Sequence, residues 1–163
     1  MAKSKVTKTG DWKKVAKIIG SLQKTFEKVR RAHLTWISEE AVTIIKDHIN
    51  AQDLSWEALS PAYKKAKEAG GFDTDIYKKT GRFAESIVGE LVGRDSVFIG
   101  IKHGARGSNG EDLANIATIL EYGAQGANIP ARPLWLPSMG EVLELWDKNP
   151  PPAADVKKEL DGK

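Results

Sequence analysis

The chain has no cysteine. Disulfides, thiolate nucleophiles and thiolate metal ligands are excluded together. Long apolar runs are missing too: none approaches the roughly 20 residues of a membrane span, so no membrane partner is expected. The N-terminal stretch MAKSKVTKTGDWKKVAKIIG is basic but lacks the apolar core of a signal peptide, and synthesis and use without signal-directed export are expected. Histidine is scarce. His33, His48 and His103 lie far apart, and none has a carboxylate or histidine at a metal-binding helical spacing. No metal and no cofactor are therefore expected.

Signs of catalysis are equally thin. The glycine-rich stretch 103–112, HGARGSNGED, lacks the GxxxxGK[ST] spacing of a phosphate loop. It also follows a hairpin strand instead of opening a parallel β-α-β unit. The acidic pairs Glu39-Glu40 and Glu111-Asp112 are sequence neighbours, which point in different directions on a helix. Ser86 and Ser138 have no base nearby in sequence. Nothing in the pattern points to an enzyme, and no catalytic residue is assigned.

What is present suits one domain. The chain has 163 residues, 40% apolar and 29% charged, enough to bury a core. Its net charge of +3 is uneven: residues 1–36 hold ten Lys or Arg against two Asp or Glu, a balance of +8, and the remainder carries −5. Such a basic region attracts polyanions. Lys3, Lys5, Lys8, Lys13, Lys14 and Lys17 are the candidate contacts to DNA or an acidic partner, and a solvated helix surface is the competing reading.

The periodicity predicts an α+β fold, with a long N-terminal helix and shorter helices packed on a small antiparallel sheet. Leu22, Phe26, Val29, His33, Ile37, Ala41, Ile44, Ile45 and Ile49 recur at three- and four-residue steps, a helix over about 21–50. Gly20 is expected to separate it from a shorter amphipathic piece bearing Trp12, Val15, Ala16 and Ile19. A helix this long overhangs its own core, so part of its face seeks a partner. Ser55 or Ser60-Pro61 starts the next helix, ended by Gly70-Gly71. Thr80 caps a short helix over about 81–87, and Gly81 is expected where a side chain would clash. Ser86 reads as a hydroxyl bonded to backbone. Residues 87–92 and 96–101 form a hairpin with its turn at 93–95. Asp112 opens a helix that ends at Gly123, and a last helix covers about 137–146. The divisions are a basic arm or short helix over 1–20, one domain over 21–146, and a proline-rich tail over 147–163.

Between the last two helices stands ILEYGAQGANIPARPLWLPSM, residues 119–139, with three prolines in eight positions. No helix interior or central strand tolerates that density. The expectation is a stiff arm or edge strand over 129–136 at a subunit interface, its Arg132 paired to a carboxylate, with Glu121 of the same or an adjacent subunit the candidate, and its Trp135 docked in an apolar pocket. A rigid loop within the protein's own core is the alternative.

Four short motifs carry a resemblance. The segment IPARPLWLPSM resembles the IPARPF segment of tail-completion and virion-morphogenesis proteins of tailed bacteriophages. In the same order, WEALSPAYKKAK (56–67), IYKKTGRFAESIV (76–88) and ILEYGAQ (119–125) are similar to that family's W-x-x-L-S-P, TG-x-L-x-x-SI and (E/Q)-(Y/F)-G stretches. Two departures stand out: Leu134-Trp135 in place of the usual phenylalanine, and a long polar insertion, GARGSNGEDLANIA. The resemblance covers about 56–139. It implies a non-catalytic α+β virion protein at the head–tail junction or the head-proximal end of the tail, a homo-oligomeric, often hexameric ring around the DNA channel. Its implied partners are neighbouring neck or tail proteins and the DNA passing through. Tyr122, Pro130, Arg132, Pro133 and Trp135 are then the candidate interface residues, and Thr80, Gly81 and Ser86 a structural turn. A nucleic-acid-binding protein led by the basic N-terminal region is the alternative.

Overall fold

Trp12–Ala51 form one helix, α1, of 40 residues. In the computed structural model, which describes residues 10–151, Gly20 does not interrupt it. One interior glycine costs only about 1 kcal/mol relative to alanine, too little to break a helix of this length whose C-terminal half is packed on the core. Asp11 caps the start by accepting Lys14 N at 3.1 Å, and Gln52 ends the helix in the left-handed conformation. The described helical part of the separate N-terminal piece expected for 1–20, residues 12–20, is thus the first turns of α1. Lys3, Lys5, Lys8 and residues 152–163 lie outside the described residues.

The chain is α+β. After α1 come α2 (Pro61–Ala69), α3 (Arg82–Glu85), β1 (Ile87–Val92), β2 (Ser96–Ile101), α4 (Leu113–Tyr122) and α5 (Trp135–Lys148). Ser60 caps α2 with Pro61 in its first turn, whereas Ser55 lies outside any helix at φ 53°. Position 81, not Thr80, is the N-cap of α3, and its φ of 79° is why glycine stands there. The expected clash is absent: a Cβ on Gly81 would meet nothing nearer than Glu85 at 3.9 Å. Ser86 Oγ donates to Phe83 O at 2.6 Å.

β1 and β2 pair antiparallel, with Ile87 opposite Ile101 and Val92 opposite Ser96. The turn between them is tied to α1 by Arg94 with Glu27, Arg30 with Asp95, and Arg31 Nη1 donating to Gly93 O at 3.4 Å. The main core gathers Ile45 and Ile49 of α1 with Tyr77, Phe83, Ile87, Ile101, Leu113, Ala117 and Leu134. A second cluster joins Ile37 and Ala41 to Val142 of α5. Beside it, the buried His33 ring stacks between Trp36 and Trp146, with centroids 5.2 and 4.5 Å away. Burial alone pushes the His33 pKa down, which keeps it neutral among these rings.

Helix and hairpin approach most closely at Gly89, where a Cβ would lie 2.4 Å from the Ser38 carbonyl oxygen. The backbone of α1 cannot yield there without lifting off the sheet. Gly89→Ala should therefore cost about 2–3 kcal/mol. Gly126→Ala, with nothing within 4 Å of the new methyl, should stay within about 0.5 kcal/mol of the parent. Urea unfolding of the two variants checks the contrast, and equal stabilities would mean the contact is not a constraint.

Candidate functional site around Arg132

Arg132 is flanked by Ala131 and Pro133. A residue before proline is pushed out of the helical region, so the chain runs extended here. Arg132 is 5% exposed, and its bonds go in three directions. Its amide N donates to Leu120 O of α4 at 2.6 Å. Its carbonyl accepts from Tyr77 Oη at 2.6 Å. Its guanidinium donates from Nε to Glu57 O at 2.8 Å and from Nη2 to Ala58 O at 3.2 Å. Next along the chain, Pro133 O accepts from Trp56 Nε1 at 2.7 Å. The Trp56, Tyr77 and Phe83 rings pack in sequence, the first pair edge-on and the second tilted, at 5.1 and 4.8 Å between centroids. The four motifs that carry the resemblance therefore meet at one place.

Among the described residues of the one chain no carboxylate pairs with Arg132, and the same-chain pairing with Glu121 is not formed. Glu121 instead caps α5. Its Oε2 accepts from Leu134 N at 2.7 Å and Trp135 N at 3.0 Å, and its Oε1 from Leu136 N at 3.1 Å. Leu134 offers no capping side chain. Pro137, the next residue, has no N–H to satisfy. One carboxylate thus takes up every free donor of the first turn, where the helix dipole also favours negative charge. This cap lets α5 begin at Trp135, earlier than the expected 137. Trp135 is a half-buried first-turn residue packed on the main core, not part of an arm.

Gly123 makes the reversal from α4 into this segment possible. Its φ is 75°, and a Cβ would lie 2.9 Å from both Ala131 N and Ile129 O. Ala124 and Ile129 pair across the turn, closing a loop whose tip is Gln125–Ala127. The remaining expected interface residues lie apart in exposure: Tyr122 is 79% exposed, Pro130 is half-buried and Pro133 is exposed. Lys13, Lys14 and Lys17 are exposed on the first turns of α1, remote in sequence from Arg132.

Sequence reading missed three partners. Trp56 and Tyr77 carry no pattern of their own, although each lies within a quoted motif. Lys67 is 4% exposed and donates from Nζ to Asp75 O at 2.7 Å. His48, which has no carboxylate at a metal-binding helical spacing, meets two from outside its own helix. Asp53 meets its Nδ1 at 2.7 Å, and Glu141 of α5 lies 3.0 Å from its Nε2. Among the described residues no group of three His, Cys, Asp or Glu side chains could hold a metal ion, and no helix is long and apolar enough to cross a membrane.

No family model matches the chain, and neither the curated proteins nor the solved structures compared with it give a match.

Burial, and then the nearby Glu121 charge, push the Tyr77 phenol well above its ordinary range, so it stays a donor to Arg132 O. The folded pKa lies above the unfolded value of about 10, so this contribution is complete below pH ~10 and is lost as pH rises towards the folded value. Tyr77→Phe should cost about 1 kcal/mol at neutral pH. It should also lose less stability than the parent between pH 10 and 11. Chemical denaturation of both proteins across that range tests it. Parallel pH curves would show that the phenol is not held in the folded state.

Glu121→Ala should cost about 2–3 kcal/mol, because three N–H groups lose a charged acceptor at once. Glu121→Gln, with one acceptor oxygen left, should fall between that variant and the parent in thermal melting.

Proposed function

We propose that this protein is a non-catalytic structural component of a tailed-phage virion. It sits at the head–tail junction or the head-proximal end of the tail, and assembles as a closed ring, six-fold in this reading, around the DNA channel. The motif resemblance supplies the class. The observation that carries the assembly is the first half of α1.

Trp12, Val15, Ile19, Leu22, Phe26 and Val29 follow each other at alternating steps of three and four. That spacing keeps an apolar seam on one side of a helix. Yet every residue from Asp11 to Gly20 is exposed, because the helix runs past its own core. Trp12 is 58%, Ile19 59% and Phe26 55% exposed, with Val15 and Ile18 beside them. Together these side chains leave on the order of 500 Å² of apolar surface open, a large patch for a monomer and most of one side of an ordinary interface. The stripe continues into His33 and Ile37, which are buried, so it is the core-facing stripe of α1 carried on into exposed positions.

A neighbouring subunit is the cover that a ring provides. Each copy then presents this stripe to a different surface of the next, a heterologous contact that closes. At 100° per residue, Lys13, Lys17, Lys24 and Lys28 fall on the opposite side of α1 from the stripe. Packing the stripe leaves those lysines free to face DNA or an acidic neck or tail protein.

Replacing Trp12, Ile19 and Phe26 together by serine should abolish assembly. Domain melting should change little, since none of the three is buried. Sedimentation velocity with negative-stain imaging reads both forms. A parent protein that stays monomeric at tens of micromolar would overturn the ring. Rings that survive the triple substitution would move the contact elsewhere. Tight, salt-sensitive DNA binding by an isolated monomer would favour a nucleic-acid-binding protein instead.

A further inference from the structure

Two buried cations line one cleft, and neither is paired with a carboxylate among the described residues. The cleft, about 1040 Å³, lies between the 57–80 region and α4 with its following loop. Leu113, Ile116 and Leu120 of α4 and Ile129 make an apolar wall, and Arg132 and Lys67 lie among the other lining residues. Arg132 spends Nε and Nη2 on the carbonyls of Glu57 and Ala58, which leaves Nη1 without a partner among the described residues. Lys67 has one bond, to a neutral carbonyl, for three N–H donors. Asp73 and Asp75 act on it only at longer range than an ion pair, and burial dominates to push its pKa down.

Charged side chains this deeply buried are almost always paired, because an uncompensated charge is costly to desolvate. Carbonyl acceptors take up part of the hydrogen-bonding capacity of these two groups and leave their charge standing. The cleft thus combines unneutralised positive charge with an aliphatic wall. Its volume lies at the upper end of small-molecule pockets, about 300–1,000 Å³, and has room for several residues of extended chain. Two carboxylates, Glu57 and Glu111, also line it. Glu111 is committed to Asn109 N at 2.8 Å. Those negative charges disfavour a polyphosphate backbone while leaving room for a single carboxylate.

We propose that this cleft is the docking site for an acidic, otherwise apolar peptide segment of a partner protein. Its carboxylate faces Arg132 and Lys67, and its aliphatic side chains lie against Ile116 and Leu120. No residue of α1 lines the cleft, so this contact is separable from the stripe assigned to ring assembly.

The test uses the full chain labelled with ¹⁵N and the Arg132 Nε–Hε resonance, assigned by its loss in Arg132→Lys. The probes are two pools of capped pentapeptides, randomised except for a central Glu in one and a central Gln in the other. The Glu pool should move the Arg132 signal at concentrations at least tenfold below the Gln pool, and added salt should weaken the effect. Lys67→Met removes one charge at similar volume. It should weaken the Glu-pool response about tenfold while the melting transition stays cooperative. Should Lys67→Met not fold, Ile116→Glu places a like charge on the half-buried wall and should abolish the response. Equal responses to the two pools, or none to either, would overturn the proposal. So would a shift reproduced by sodium acetate at equal concentration, which marks a bare anion site, or one produced only by oligodeoxythymidine.

Discussion

A single buried guanidinium determines how the second half of this chain is arranged. Arg132 ties its own segment to residues 57 and 58 through side-chain donors, to α4 through its amide, and to Tyr77 through its carbonyl. These partners are separated by tens of residues in sequence and have little regular structure between them. Glu57 and Ala58 lie in irregular chain, and Tyr77 sits at a positive φ of 66° that a non-glycine residue adopts only when its surroundings hold it. Backbone that is neither helix nor sheet still needs partners for its polar groups. Arg132 and Trp56 provide several of them, which is how an irregular stretch between α1 and the hairpin becomes part of the core.

The prolines make this possible by what they forbid. Pro133 keeps Arg132 extended, so the arginine cannot be absorbed into α5, and Pro130 limits the chain two residues earlier. Pro137 sits inside the first turn of α5, where its missing N–H is no loss. The same constraint that rules out regular structure over 129–134 thus hands Glu121 three donors to satisfy, and the carboxylate meets all three. Gly123 completes the arrangement, since any side chain there would strike the returning strand. Glutamate, glycine, arginine and prolines are one device for turning the chain from α4 into α5.

Much of this architecture was legible in the residues, and the part that was not follows a pattern. The hairpin appeared at its observed bounds because alternation and a Gly-Arg-Asp turn are local signals. Asp112 and Ser60 showed their capping roles for the same reason. Reading Gly20 as a break failed because a single glycine's penalty of about 1 kcal/mol is small against the rest of a continuous 40-residue helix. Thr80 was preferred as a cap by residue type, whereas backbone conformation selected Gly81. For Arg132 a carboxylate partner was supplied from chemical expectation, and within the chain Glu121 does not take that role. No sequence pattern reveals that backbone carbonyls 74 and 75 residues away will take its place. Contacts between distant segments left no periodic trace, and Lys67, Tyr77 and the two carboxylates of His48 belong to that class.

The two ends of the molecule differ in how far they are finished. Around Arg132 nearly every polar group has a partner within the chain, and the unspent capacity is charge alone. Along the first turns of α1 the reverse holds: lysines are solvated as they should be, and apolar side chains lie open. The hairpin turn is tied to α1 at Glu27, Arg30 and Arg31, so contacts with the hairpin begin only there. Before that point Asp11 to Gly20 are exposed throughout, whereas Thr25 is buried. An isolated helix of such length is marginal in water, and most helical stability in proteins comes from packing an amphipathic face. Continuing the same stripe unbroken from buried His33 back to exposed Trp12 is therefore consistent with a helix whose first half is stabilised by association. The domain folds around its hairpin and the Arg132 junction, and in the proposed ring a neighbouring subunit covers the exposed apolar side chains at the start of α1.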